Sequence, residues 1–207
     1  MQYFTAALVL LCAALSQAKP APCSTILQKC GEPFVAAMAE KLGVQMTGDA
    51  DKFGVDVWKA LNNGADKWFA FVSIMADYSS CIGGRRDCWN VNDVAQTSGL
   101  DPLNSAKYII YVREFEYITT IGRAVYEKYG VCMSREELSH LDQLKKCGDD
   151  YANAQKEHPE RACKNLRQVT RCKNAIYAPC GEAIQKASCA ALQYGIKTIM
   201  PTCDLQC

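Results

Sequence analysis

The sequence predicts an all-α, disulfide-stapled domain arranged around a long central helix, with two candidate similar halves. Three observations carry that expectation. Apolar residues recur at three- and four-residue steps through most of the 207 residues, the period of a helix face rather than of a strand. Cysteines 163, 172, 180, 189, 203 and 207 fall inside such a pattern at the C-terminal end. The chain carries 13 cysteines, and setting aside a leader that contains Cys12 leaves an even number.

The leader is residues 1–18, MQYFTAALVLLCAALSQA, without a charged side chain and apolar from Ala6 to Leu15. Small residues at Ser16 and Ala18 complete the pattern of a secretory signal peptide cut after Ala18. The apolar run is too short to span a bilayer comfortably. Secretion and an even count together imply that Cys23, Cys30, Cys81, Cys88, Cys132, Cys147, Cys163, Cys172, Cys180, Cys189, Cys203 and Cys207 form six disulfides. Spacing cannot choose among roughly ten thousand pairings. A zinc site would need Cys-x-x-Cys knuckles or histidine partners, and the sequence has neither arrangement.

From Cys23, residues 24–29 predict a short helix, and Pro33 suits the first turn of a second one whose buried side is Phe34, Met38 and Leu42. A helix through Val55, Val57, Trp58 and Leu61 follows, ended by Asn62-Asn63-Gly64. Residues 65–78 predict another, carrying Trp68, Phe69, Val72 and Met75. Residues 81–88 read as a loop cinched by its two cysteines, with Arg85-Arg86 as a candidate processing site if the tip is open to proteases.

Asp101-Pro102 supplies a cap and a first-turn proline for the longest helix, residues 102–129. Its stripe is Leu103, Tyr108, Tyr111, Val112, Phe115, Ile118, Ile121 and Val125, with Gly130 as its end. Ser134 and Glu137 fit a capping box, opening a helix through Leu138, Leu141 and Leu144 towards Cys147. Residues 155–160 read as a linker. Leu166, Val169, Cys172 and Ile176 then mark a helix ending near Ala178, because Pro179 and Gly181 follow. Ile184, Ser188, Ala191, Gly195 and Ile199 mark the last one, stopped by Pro201.

Cys23-x6-Cys30-Gly31-Glu32 echoes Cys172-x7-Cys180-Gly181-Glu182. The echo suggests either a duplication, with halves 19–132 and 133–207 of one domain spanning 19–207, or chance recurrence in a cysteine-rich chain.

Composition and motifs narrow the function. With 23 Lys and Arg against 22 Asp and Glu, charge does not select nucleic acid or acidic membranes as partners. No second apolar stretch reaches membrane-spanning length. The two histidines, His140 and His158, read as exposed helix and linker residues. Hydrolase and phosphate-binding motifs are absent from the sequence. The adjacent carboxylates Glu136-Glu137 and Asp149-Asp150 should point apart on a helix. The expectation is therefore a non-enzymatic protein without a cofactor. Trp68, Phe69, Met75, Tyr108, Tyr111 and Phe115 are either core or the lining of an apolar ligand pocket.

Cys163-x8-Cys172-x7-Cys180-Gly181, the alanine-rich segment after it, Cys189 and Pro201-Thr202-Cys203 resemble the cysteine-rich helical secreted families of invertebrates. These include the nematode extracellular domain family of unknown function and the insect haemolymph glycoproteins. The resemblance covers mostly the C-terminal third and implies an all-helical, disulfide-linked, non-enzymatic extracellular protein. The expected function is extracellular binding by a monomer through an unknown protein partner, of signal, venom or defence type. Carriage of a small apolar ligand in a helical cavity is the alternative.

Overall fold

The computed structural model describes residues 22–207, and the expected signal peptide lies outside them. Among the described residues the regular structure is nine α-helices, one π-helical turn and three 3-10 turns, with no strand.

Helix α1 (Cys23–Ala37) runs through Pro33 into the π-helical turn Met38–Leu42, which ends at left-handed Gly43. The two helices expected here are one. Leu27, Cys30, Phe34 and Met38 are all buried at three- and four-residue steps, so the apolar face keeps its phase across the proline. Two disulfides also hold the helix, Cys23–Cys88 and Cys30–Cys81.

Helix α2 (Ala50–Leu61) is capped by Asp49, whose carboxylate accepts from Lys52 N at 3.0 Å. After Asn62-Asn63-Gly64 comes α3 (Ala65–Ile82). Helix α4 (Val91–Ser98), which the apolar periodicity does not signal, is capped by Asn90 and closed by left-handed Gly99.

Helix α5 (Pro102–Thr119) begins as expected, with Asp101 accepting from Leu103 N at 2.9 Å and Asn104 N at 3.0 Å. It stops ten residues before the expected end, and α6 (Arg123–Ser139) follows. The hydroxyls of Thr119 and Thr120 donate back to the carbonyls of Phe115 and Glu116, competing with the helical ladder. Gly122 permits the turn, since a Cβ there would meet the Tyr117 ring at 2.7 Å. Gly130, the expected terminator, lies inside α6.

The capping box is not used either. Ser134 is buried within α6, and the next helix, α7 (Leu141–Glu157), starts after His140. Residues 155–157 continue α7 rather than forming a linker, and a 3-10 turn, Pro159–Arg161, leads into α8 (Ala162–Ile176). The turn Ala178–Cys180 then precedes α9 (Glu182–Ile196).

Helix α5 is central although it is shorter than expected, packing against α2, α3, α4, α6 and α9. The Phe115 ring lies edge-on to Phe71 of α3 at 5.2 Å and 6.0 Å from Phe53 of α2. One buried cluster runs from Leu27 to Ala191 and so includes residues of both candidate halves. A smaller one gathers Cys189, Ile196, Cys203 and Leu205.

All twelve cysteines of the described residues pair. Cys23–Cys88 and Cys30–Cys81 tie the N-terminal part. Cys132–Cys180, Cys147–Cys172, Cys163–Cys203 and Cys189–Cys207 tie the C-terminal part. A boundary at 132/133 would separate Cys132 from its partner. Both parts contain a nested pair of bridges, but the echoing segments differ locally: Gly31 lies within α1, whereas Gly181 precedes α9 at φ 100°.

Candidate functional site

The six aromatic and methionine candidates are placed differently from a common lining. Met75, Tyr108 and Phe115 are buried, whereas Phe69 is 61% exposed. Trp68 is half-buried and its indole donates to Glu127 Oε1 at 3.3 Å, joining α3 to α6. Tyr108 donates to the Thr47 carbonyl at 2.5 Å, and Tyr111 to Asp51 Oδ1 at 3.2 Å. The Tyr111 ring also lies on Gly54, where a Cβ would meet it at 3.0 Å. The two tyrosine contacts fasten α5 to α2 and to the segment before it. A cavity of about 10 Å³ lies beside Met75, Tyr78 and Trp89, on the order of one water-sized sphere and far below a ligand pocket.

Arg85 and Arg86 are both engaged. Arg86 Nη2 pairs with Glu116 Oε1 at 2.5 Å, and Glu116 is 7% exposed and also pairs with Arg113. The Arg113 guanidinium in turn stacks over Tyr194 at 4.4 Å. Arg85 Nε donates to Asp87 Oδ1 at 3.0 Å. The cysteines flanking this loop cinch it to α1 rather than to each other. A protease acting at the dibasic pair would have to draw both side chains off these partners and unwind the 3-10 turn Arg86–Cys88.

A collection of interacting titratable groups lies where α5, α6, α8 and α9 meet. Glu114 comes from α5, Tyr126 and Glu137 from α6, Lys173 from α8, and Tyr177 from the residue after α8. The Tyr177 hydroxyl donates to Glu137 Oε1, and Tyr126 shares a hydrogen bond with Ser188 of α9. The stem of Glu114 lies beneath α9, its Cγ 3.3 Å from where a Gly195 Cβ would stand.

Burial pushes the Glu114 carboxyl up to about 7, with Glu137 reinforcing that shift and Lys173 opposing it. Burial raises Glu137 too, against the Tyr177 hydrogen bond and Lys173. The Tyr177 and Tyr126 phenols are raised by burial and by the carboxylates near them. The arrangement can therefore hold a proton on a carboxyl near neutral pH. Glu136 and Glu137 diverge as expected, Glu136 turning to Arg135 and His140. The only sequence signal for Glu114 is an acid beside an apolar stripe.

A polar cleft of about 250 Å³ lies between α8, α9 and the C-terminal segment, lined by Arg171, Asn174, Gln185 and Lys186 among others. Gln193 holds that segment, donating to the Cys203 carbonyl at 2.8 Å and accepting from Leu205 N at 2.5 Å. His140 and His158 are exposed at helix ends, against Glu136 and Glu160 respectively.

No protein-family model matches the chain, and neither the curated proteins nor the solved structures yield a match.

Proposed function

We propose that this is a secreted, non-enzymatic extracellular protein that works by presenting a rigid surface to a protein partner, of signal, venom or defence type. The observation that carries the reading is the pairing of all twelve described cysteines into six bridges on an all-helical domain. Disulfides form and persist in oxidising compartments. Among the described residues, no helix is long and apolar enough to cross a membrane. The resemblance to cysteine-rich helical secreted families of invertebrates belongs to the same proposal.

The core favours a protein partner over a small apolar ligand. Three of the six candidate lining residues are spent on interior packing and a fourth faces solvent, while the larger cleft is lined mainly by polar side chains. Native mass spectrometry of the protein from its natural fluid, compared with the denatured unreduced mass, tests this. The expected species is a bare chain of residues 19–207 lighter by the twelve hydrogens of six disulfides, with chemical cross-linking in the same fluid capturing a protein. A bound mass of a few hundred daltons that is lost on denaturation would overturn the reading in favour of a carrier.

A further inference from the structure

The six bridges do not share one electrostatic environment. At Cys23–Cys88 the Arg85 guanidinium lies against both sulfurs, its Nη2 3.3 Å from Cys88 Sγ and 3.5 Å from Cys23 Sγ. Asp87 pairs with the same guanidinium, with Nε to Oδ1 at 3.0 Å and the same Nη2 to Oδ2 at 3.1 Å. An Asp87 carboxylate oxygen and the two sulfurs all lie within 4.8 Å of one another. Access is uneven: Cys88 is fully buried whereas Cys23 is half-buried.

Thiol–disulfide exchange needs a sulfur that a thiolate can reach and a second sulfur that leaves readily as a thiolate. A nearby cation lowers a thiol's pKa and so improves it as a leaving group. At Cys23–Cys88 the more exposed residue and the residue whose sulfur lies closest to the guanidinium are different ones, in the order that exchange requires. Cys132–Cys180 has the reverse arrangement. There Arg135 Nη2 is 3.6 Å from Cys132 Sγ, so the cation sits on the half-buried partner and not on the buried Cys180.

We propose that Cys23–Cys88 is a site of thiol–disulfide exchange, attacked at Cys23 by a small monothiol of the glutathione class while Arg85 holds the departing Cys88 sulfur. The incoming thiolate forms a new S–S bond to Cys23 Sγ as the Cys23–Cys88 bond breaks. Its electron pair leaves on Cys88 as a thiolate, which the Arg85 N–H stabilises. No net oxidation occurs in this step. A second thiolate attacking the mixed disulfide releases the oxidised thiol dimer and Cys23 thiolate, completing a two-electron reduction. Alternatively, Cys88 returns to Cys23 and expels the adduct. Asp87 works against the step through its negative charge, and it also orients the guanidinium. Cys30–Cys81 keeps α1 attached to α3 while the outer bridge is open. The proposal does not depend on the identity of a protein partner.

The test is to treat the oxidised chain with reduced glutathione, quench with acid at intervals, alkylate, and follow each bridge by peptide mass spectrometry. Cys147–Cys172 and Cys163–Cys203 are the internal standards, each joining a half-buried to a buried residue with no guanidinium hydrogen-bonded to its sulfurs among the described residues. The expected result is that Cys23–Cys88 opens before both, with the glutathione adduct on Cys23. Arg85→Gln should slow this bridge by about threefold for each unit by which the Cys88 thiol pKa rises. Asp87→Asn should speed it, and Cys30–Cys81 should keep its rate in both variants. If the bridge opens no sooner than the two standards, or the adduct forms on Cys88, the proposal is overturned. An unchanged rate in Arg85→Gln overturns the role of Arg85. Should either variant not fold, the order of opening and the adduct position in the unaltered chain decide.

Discussion

Gly195 of α9 approaches the Ile110 carbonyl of α5 so closely that a Cβ at position 195 would stand 2.6 Å from that oxygen. The hard contact is with backbone, which cannot rotate aside as a side-chain end can. It belongs to the packing of α9 on the central helix, so pushing the two apart would disturb the Glu114 cluster as well.

Gly195→Ala is accordingly expected to cost about 1–3 kcal/mol, the range for overpacking a well-filled interface. The control is Gly130→Ala, inside α6, where a Cβ meets nothing within 4 Å and where helix propensity alone should add about 0.5–1 kcal/mol. Chemical denaturation of both variants with disulfides intact would measure the pair. Opposite signs, with the loss at Gly195 the larger, are the essential outcome.

Glu116 offers a second prediction, because it is held between two arginines of unequal exposure. Arg113 is nearly as buried as Glu116, while Arg86 has a side chain 45% exposed. Glu116→Ala strands the buried Arg113 charge and should lose about 3 kcal/mol or more. Arg86→Ala removes only the wetter partner and should lose no more than about 1 kcal/mol. If the two variants unfold at the same denaturant concentration, the network is not arranged around Glu116.

Glu114 makes stability depend on pH with a defined sign. Its carboxyl is raised from 4.5 to about 7 in the folded protein, so between those values the folded chain holds a proton that the unfolded chain has lost. Stability from this group is therefore fully present below about pH 4.5 and declines as pH rises through about 7. Glu137 shifts in the same direction. Unfolding measured at pH 5 and pH 8 should show a difference of up to about 3 kcal/mol from Glu114, and Glu114→Gln should remove most of it. A variant with the same pH slope as the unaltered chain would show that another group is responsible.

Local chemistry made much of the fold legible. Asn62-Asn63-Gly64, Asp101-Pro102 and Pro179 with Gly181 punctuate the chain where the helices end or begin, because caps and turns are decided by a few neighbouring residues. The failures have a common cause. The apolar stripe of α5 runs on through Ile121 and Val125, yet Ile121 is 68% exposed, and the break is made by threonine hydroxyls turning onto the preceding carbonyls. Ser134 and Glu137 have capping-box spacing, but Ser134 is buried and Glu137 is drawn to Tyr177 across a tertiary contact. Glu114, Glu137, Lys173 and Tyr177 come together only after several helices have packed. Their spacing in the chain carries no sign of it.

The partition of the bridges has a mechanical consequence. Every position from 23 to 88 is spanned by Cys23–Cys88, and every position from 132 to 207 by at least one of the overlapping C-terminal bridges. Between Cys23 and Cys207, only the 44 steps from Cys88 to Cys132 (132 − 88) bear tension without a covalent bypass, a stretch about 160 Å long when fully drawn out. That stretch contains α5, so force applied between the two stapled parts falls on the helix that seats both of them. The molecule would yield at its centre while its ends stayed knotted.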